Sequence, residues 1–207
     1  MSLSKVLVVG GSGLLGRRLM KDLNNEFEVF GTYCSSSPVL KSNYVNLDVK
    51  IEGAISSLFK DLKPEIVVNC IGLTSVEVCE REKNLSHTLN SDAPYLLASA
   101  SRLLRARFIH ISTDHFQSSS TNPRSESDLV WPINQYGISK LDGERRVLEA
   151  YSNSTIIRTS FFGPGRRNGS SLWDFVVQGL QNGGTINGFQ DIRFSPVSIS
   201  YATIPTA

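Results

Sequence analysis

The sequence predicts an α/β fold in which a doubly wound parallel sheet carries helices on both faces, and three observations support this prediction. Apolar runs of strand length alternate with stretches of helical periodicity. Several runs are apolar at consecutive positions, which is typical of strands that are buried on both faces of a sheet. A glycine-rich turn joins the first strand to the first helix.

The predicted strands and helices follow one another in a regular alternation. Six strands are expected at residues 6–9, 28–33, 44–47, 66–70, 108–111 and 156–157. Four helices are expected at residues 14–23, 51–62, 90–104 and 135–150. The connections between parallel strands should be right-handed.

Two segments interrupt this alternation. Residues 118–128 are rich in Ser, Thr, Asn and Pro and follow a strand end, where open α/β sheets bind ligands, so a substrate-side loop is expected there. From Gly163 onward the chain changes to short elements and glycine turns. We therefore expect a main domain over residues 1–162 and a small, partial substrate-binding region over residues 163–207.

Composition and charge exclude several classes of protein. The 207 residues are 40% apolar and 19% charged, and no apolar run approaches a membrane span, so we expect a cytoplasmic protein without a membrane segment or secretory signal. The formal charge of +2 is too small and too scattered for a nucleic-acid interface, which leaves small molecules as partners. Cys34, Cys70 and Cys79 lack metal-ligand spacing, so we expect reduced thiols and no bound metal, with Cys70 in the core and the other two in loops.

The glycine turn predicts a binding site for the pyrophosphate of a nicotinamide dinucleotide. It permits a tight turn, close approach of backbone N–H groups to the phosphates, and close packing of helix on strand. The residues assigned to this site are Gly10, Ser12, Gly13, Leu14, Leu15 and Gly16. Arg17 and Arg18 stand where a P-loop needs Lys followed by Ser or Thr, which argues against nucleoside triphosphates.

The end of the second strand favours NADP(H) over NAD(H). An NAD site usually offers an acidic residue to the ribose 2'-hydroxyl at this point, whereas this strand ends in Thr32 and Tyr33, both assigned to the cofactor site. Hydroxyl groups follow at Ser35 and Ser36, and Arg17 is expected to lie nearby. A carboxylate would repel a 2'-phosphate, so its absence favours NADP.

Asp48 and Val49 follow the third strand and are also assigned to the cofactor site. Asp48 is placed where its carboxylate could accept a hydrogen bond from the adenine amino group. The alternative is that Asp48 caps the helix predicted from residue 51.

Tyr136 and Lys140 are four residues apart on the last predicted helix, so their side chains share one face. A tyrosine titrates at about pH 10 in water, and a nearby ammonium group should stabilise the phenolate and lower this pKa. The tyrosine could then exchange a proton with a carbonyl or hydroxyl group. Thr113 follows the fifth strand at the edge where the nicotinamide is expected, and could hydrogen-bond the reacting oxygen. A turn or capping role is the alternative for Thr113.

Six motifs along nearly the whole chain together resemble the extended short-chain dehydrogenases, and among them the dTDP-4-dehydrorhamnose reductases. The motifs lie at residues 10–16, 68–77, 90–94, 111–116, 136–144 and 157–160. The resemblance implies a Rossmann fold and an NADP-dependent oxidoreductase that transfers hydride to a nucleotide-linked 4-keto-6-deoxy sugar. It implies that Thr113, Tyr136 and Lys140 are catalytic, and that Tyr136 protonates the carbonyl oxygen. It also implies further cofactor contacts from Cys70, Ile71, Gly72, Thr74, Asn90, Tyr136 and Lys140.

Two departures from the family pattern bear on the substrate. His115 follows Asp114 where the reductases usually have tyrosine. The family also continues into a longer substrate-capping region, whereas this chain stops at Ala207, just after a late-strand motif at residues 194–197. An incomplete sugar pocket is therefore expected.

Two other functions stay open. A sister epimerase or dehydratase would keep its cofactor bound through the cycle, although a dehydratase usually has Asp-Glu where this chain has Asp114 and His115. The regulatory subunit of methionine adenosyltransferase has the same reductase-like fold and binds NADP while it serves as a partner protein. Homodimers are common in the family, so a homodimer is a further expectation.

Overall fold

A six-stranded parallel sheet forms the centre of the molecule. The structure, a computed structural model, describes residues 3–35, 42–116, 125–165, 171–188 and 195–201. The strands are β1 (Lys5–Val9), β2 (Glu28–Tyr33), β3 (Tyr44–Asn46), β4 (Ile66–Asn69), β5 (Arg107–Ile111) and β6 (Thr155–Ile157). Their order in the sheet is β3-β2-β1-β4-β5-β6, and every pair of neighbours is parallel. The order reverses between β1 and β4, which creates the switch point where such sheets bind ligands.

Helices connect the strands in chain order. They are α1 (Leu14–Asp22) with a 3-10 turn (Leu23–Asn25), α2 (Ala54–Leu62), α3 (Val76–Arg81), α4 (Lys83–His87), a π-helical turn (Thr88–Asp92), α5 (Ala93–Leu104), α6 (Gln135–Ala150) and α7 (Leu172–Gln181). Within the described ranges, no helix has the length and apolar character needed to cross a membrane.

Both faces of the sheet are buried. On one face, Leu7 and Phe108 pack with residues of α2, α5 and α6. On the other face, Val8 and Val68 pack with Leu19 of α1. Burial on both sides explains why the strands are apolar at consecutive positions, and it confirms the predicted doubly wound α/β fold.

A second, smaller sheet lies beyond the main one. Its strands β7 (Ser160–Phe162) and β8 (Pro196–Ser198) pair in parallel. The Phe162 ring stacks on Trp173 of α7 with 6.1 Å between ring centroids. The predicted boundary after residue 162 falls at the end of β7, and the division into two functional regions stays a prediction.

Three local predictions are wrong. Helix α2 begins at Ala54 rather than at residue 51, because Gly53 adopts a left-handed conformation with φ of +77° and ends a turn. Helical structure begins at Val76, well before the helix predicted from residue 90. Cys79 therefore lies in α3, fully buried, and not in a loop.

The π-helical turn directly precedes α5, whose second residue is Pro94. Proline has no N–H to donate to the carbonyl four residues earlier, which here belongs to Asn90. The ladder widens instead, and Ala93 N–H donates to the carbonyl of Thr88, five residues earlier. A Cβ atom on Gly143 would collide with the Asn90 carbonyl oxygen, so α6 packs against the turn at backbone distance.

Candidate active site

The glycine turn lies between β1 and α1 in a conformation that needs glycine. Gly10 has φ of +83°, which L side chains rarely adopt. A Cβ atom on Gly16 would overlap the carbonyl oxygen of Gly10, so helix and turn pack at backbone distance. Gly13 N–H donates to that same carbonyl at 2.9 Å and closes the turn.

The N-terminus of α1 fits an anionic group. Gly13 is its N-cap, no side chain caps the helix, and its first turn contains no acidic residue. The first backbone N–H groups of α1 and the positive end of its dipole therefore lie at Gly13, which is exposed to solvent. Ser12 and Leu14 are half-buried beside it, and Leu15 is buried in the core, so Leu15 can meet a ligand only through its backbone.

Thr32 supports the glycine turn from β2. Its hydroxyl accepts the Gly10 N–H at 2.9 Å, and its carbonyl accepts the Ser12 N–H at 3.3 Å. Its side chain is buried beneath the turn and is not displayed at the strand end. Tyr33 is half-buried and Ser35 is exposed at that end, while the predicted Ser36 lies outside the described residues.

Tyr44 of β3 is a contact that the sequence motifs did not indicate. Its phenol donates to the Gly11 carbonyl at 3.2 Å, so it helps to hold the turn from β3. Burial raises the pKa of Tyr44, against the opposing effect of Arg17. Spacing within the glycine motif carries no information about a residue that arrives from another strand.

Asp48 forms a turn ahead of α2. Its carboxylate accepts the Lys50 N–H at 3.0 Å and lies 3.5 Å from the Lys50 ammonium, while its carbonyl accepts the Ile51 N–H. Asp48 thus caps this turn, whereas Gly53 is the N-cap of α2. Val49 is partly buried against the core. A contact of Asp48 with adenine stays a prediction.

The loop after β4 runs along the switch point through Cys70, Ile71, Gly72 and Thr74. Asn69 fixes its start, because its side-chain oxygen accepts the Ile71 N–H at 3.1 Å. Gly72 and Thr74 are exposed, whereas Cys70 and Ile71 are partly covered. Burial raises the pKa of Cys70 to about 12, so the thiol stays protonated at neutral pH.

Asn90 fixes the middle of the same loop. Its amide oxygen accepts the Leu73 N–H at 2.8 Å, and its amide nitrogen donates to the Leu73 carbonyl at 3.0 Å and to Ser139 Oγ at 2.9 Å. The side chain is fully buried, and both amide hydrogens are used. Asn90, predicted as a cofactor contact, therefore holds the loop through its side chain.

His110 lies beneath the site as a neutral imidazole. Its Nδ1 is 3.0 Å from the Asn69 amide nitrogen, whose orientation is fixed by Ile71, so Nδ1 accepts and the proton lies on Nε2. Nε2 is buried and finds no hydrogen-bond partner among the described residues. Burial, and secondarily Lys140, lowers the pKa of His110 well below its usual value.

The three predicted catalytic residues meet at the carboxyl end of β5. Thr113 is 4% exposed, accepts the His115 N–H at 3.1 Å and shares a hydrogen bond with the Tyr136 phenol. Lys140, also 4% exposed, donates through Nζ to the Ile111 carbonyl at 2.7 Å. The structure thus brings the trio together, whereas residues 118–124 of the predicted substrate-side loop lie outside the described ranges.

Burial controls the titration of this group. It lowers the pKa of Lys140 to about 8, against the opposing effects of Glu144 and, secondarily, Cys70. It raises the pKa of Tyr136, although the hydrogen bond from Thr113 acts in the other direction. The predicted lowering of the tyrosine pKa by Lys140 is therefore wrong for this arrangement, because the ammonium is directed at the Ile111 carbonyl and burial raises the pKa of Tyr136.

Ser139 is a second contact that the sequence analysis missed. Its hydroxyl donates to the Tyr136 carbonyl at 2.9 Å and accepts from Ser86 at 3.0 Å as well as from Asn90. It therefore ties α6 to both α4 and the π-helical turn. Its place immediately before Lys140 was a signal that could have identified it.

Within the part of the chain that the structure describes, no group of three or more His, Cys, Asp or Glu side chains is arranged to hold a metal ion.

Comparison with known proteins identifies the relatives of this chain. A probable dTDP-4,6-dihydroxy-2-methyloxan-3-one 4-ketoreductase from Streptomyces antibioticus is 32% identical over 193 residues, which cover 92% of this chain and 61% of that relative. A methionine adenosyltransferase 2 subunit beta from Xenopus laevis is 30% identical over 155 residues, which cover 74% of this chain and 46% of that relative. The crystal structure of dTDP-4-dehydrorhamnose reductase from Bacillus anthracis in complex with NADP matches with a TM-score of 0.84 at 26% identity, over 98% of this chain and 69% of that one.

The match to a family model is more extensive. The chain spans between 46% and 65% of the length of the curated relatives it matches. Residues 4–201 match the model described as RmlD substrate binding domain. The resemblance predicted from the motifs is thus confirmed, and the chain belongs to the RmlD substrate binding domain family within the extended short-chain dehydrogenases.

Proposed function

We propose that this chain is an NADPH-dependent reductase of a nucleotide-linked 4-keto-6-deoxy sugar. The observation that carries the proposal is the meeting of Thr113, Tyr136 and Lys140 at the carboxyl end of β5, on the same sheet edge as the glycine turn. The ketoreductase and dehydrorhamnose reductase among its relatives support the choice of substrate class.

The residues around the switch point fit a dinucleotide. The uncapped N-terminus of α1 would hold the pyrophosphate, Asp48 would meet the adenine, and the loop from Cys70 to Thr74 would line the nicotinamide half. Arg17, together with the acid-free end of β2, favours NADP over NAD. When bound, the reduced nicotinamide supplies a hydride to the carbonyl carbon of the substrate.

The chain's own residues supply the proton. Because the pKa of Tyr136 is raised, its phenol is protonated at neutral pH and can donate to the carbonyl oxygen of the sugar. The Thr113 hydroxyl, already bonded to this phenol, would hold the same oxygen. Lys140 carries its proton below about pH 8, and it would stabilise the phenolate that remains once its ammonium turns from the Ile111 carbonyl towards Tyr136.

The same proposal covers the rest of the molecule. Residues 163–207 would contribute to the sugar side of the site. We infer a cytoplasmic protein, where Cys34, Cys70 and Cys79, all free thiols in the structure, would stay reduced. Formation of a homodimer is part of the proposal and is tested by sedimentation or light scattering.

One experiment tests the function directly. Purified protein is titrated with NADPH and NADH and then mixed with a dTDP-4-keto-6-deoxy sugar while the absorbance of the reduced nicotinamide is followed. We expect tighter binding of NADPH and a fall in absorbance that requires Tyr136. If NADPH binds and the sugar does not oxidise it, reduction is excluded for this substrate class.

A second function is favoured by the likeness to methionine adenosyltransferase 2 subunit beta. In that case the chain would bind NADP as a partner subunit without turnover. Retention of biological function by a Tyr136→Phe variant that still binds NADPH would support this alternative. An epimerase or dehydratase would instead convert its sugar with no net consumption of NADPH.

A further inference from the structure

Glu144 lies one helical turn beyond Lys140 on the same face of α6, and it is 4% exposed. Its carboxylate accepts from Arg158 in a two-pronged arrangement, with Nη2 at 2.6 Å from one oxygen and Nε at 3.0 Å from the other. The oxygen bonded to Nε also accepts a hydrogen bond from the Ser112 hydroxyl. A buried carboxylate with these partners has its position fixed.

The partners of Glu144 come from the elements that build the site. Ser112 is the residue before Thr113 at the end of β5, and Arg158 follows the end of β6. Arg158 also lies over the Phe116 ring at 5.2 Å from its centroid. One carboxylate therefore ties the helix of Tyr136 and Lys140 to the strand end of Thr113.

We propose that Glu144 is a positioning residue of the active site, which locks α6 onto the ends of β5 and β6 and places a negative charge beside Lys140. This inference rests on the proposed function for its kinetic readout. No contact of Glu144 with substrate or cofactor is required.

The charges around Lys140 make the electrostatic part of this role testable. Cys70 from the end of β4, His110 from β5 and Glu144 from α6 all interact with Lys140, and burial opposes its charged form. Glu144 raises the pKa of Lys140 against this burial. Arg158 holds Glu144, and it also interacts with Glu126.

The first test is Glu144→Gln, which keeps the shape of the side chain and removes its charge. We expect kcat to fall between about 10- and 100-fold with little change in KM. We also expect the alkaline fall of kcat to move to lower pH, because Lys140 loses its stabilising anion. Glu149→Gln, at an exposed position of the same helix, is the matched control and should leave kcat and its pH profile unchanged.

A second pair of variants guards against simple loss of structure. Glu144→Asp keeps the charge and should restore the wild-type pH profile at least in part. Arg158→Gln leaves the carboxylate without its main partner, so the alkaline fall should move to higher pH, opposite to the effect of Glu144→Gln. An unchanged pH profile in both Glu144→Gln and Arg158→Gln would overturn the proposal, even if both variants lowered thermal stability.

A direct titration separates this inference from the proposed reaction. The ε-carbon chemical shift of Lys140 is followed against pH by NMR in lysine-labelled protein, with assignment from a Lys140→Met variant. If wild-type protein reduces no keto sugar, the proposed function fails, but a lower Lys140 pKa in Glu144→Gln still supports the inference. Equal Lys140 titration in wild type and Glu144→Gln contradicts the inference whatever the activity.

Discussion

The amide nitrogen of Asn69 lies 3.0 Å from Nδ1 of His110, and the same side chain holds the Ile71 N–H through its oxygen. The two residues are register neighbours on β4 and β5. A buried pair beneath the sheet edge thus sets where the loop at the switch point begins.

Asn69→Ala should loosen that loop. The change leaves the Ile71 N–H and the buried imidazole without their partner, which costs about 1–3 kcal/mol for each buried group left unpaired. We expect lower stability in urea denaturation and weaker NADPH binding in a fluorescence titration. Asn84→Ala, at an exposed position of α4, is the control and should change neither quantity.

Gly13→Asp should abolish dinucleotide binding while the protein stays folded. Asp is a favourable N-cap residue, so the helix should be no less stable by circular dichroism. Its carboxylate would, however, face the pyrophosphate at the N-terminus of α1. Gly13→Asn, which has the same shape without the charge, should bind NADPH more tightly than Gly13→Asp. Equal affinities for the two variants would argue against a phosphate at this position.

Keto-sugar reduction should fall as the pH rises through about 8, because Lys140 loses its proton there. Tyr136 keeps its proton in this range, since its pKa is raised, so the fall reports the lysine. Lys140→Arg, which stays charged, should move the fall to higher pH. Tyr136→Phe should lower kcat by about 10²- to 10⁴-fold at every pH while NADPH binding is retained.

Lys140→Met should lower the activity of the protein and raise its stability at neutral pH. The pKa of Lys140 falls from its usual 10.5 to about 8, so the charged lysine destabilises the folded protein by about 3 kcal/mol at neutral pH. The variant regains this free energy, less the contribution of the lost hydrogen bond to the Ile111 carbonyl. The penalty is complete below pH 8 and disappears as the pH rises to 10.5, because the folded state loses the proton first. Urea denaturation should therefore show a more stable variant at neutral pH, and the difference should shrink in alkali. A gap that stays constant with pH would show that packing, not charge, separates the two proteins.

The sheet could be predicted because strands that are buried on both faces are apolar at consecutive positions of the sequence. The runs at β1 and β4 are apolar at consecutive positions, and the structure buries both of their faces. Helices α3 and α4 were missed because they bury little, chiefly Cys79 and Ser86, and so show no apolar stripe.

The location of the site residues could be predicted from the sequence, but the hydrogen-bond partners of their side chains could not. The end of the second strand and the family resemblance assigned Thr32 and Asn90 to the cofactor site, yet their polar atoms are bonded to the backbone of Gly10 and Leu73. Such pairing joins residues far apart in the chain, so a local pattern does not encode it. A polar residue such as Asn69 at the end of an apolar strand was a visible signal of the same kind.

The widened turn before α5 sets the rotational phase between two helices. Each residue of an α-helix rotates the chain by about 100°. Deleting one residue from the Thr88–Asp92 turn would therefore swing either Asn90 away from Leu73 or Leu97 out of the core, where it is fully buried. The additional residue in this turn allows the continuous helical segment from α4 to α5 to direct the Asn90 amide at the loop after β4 and an apolar face at the sheet.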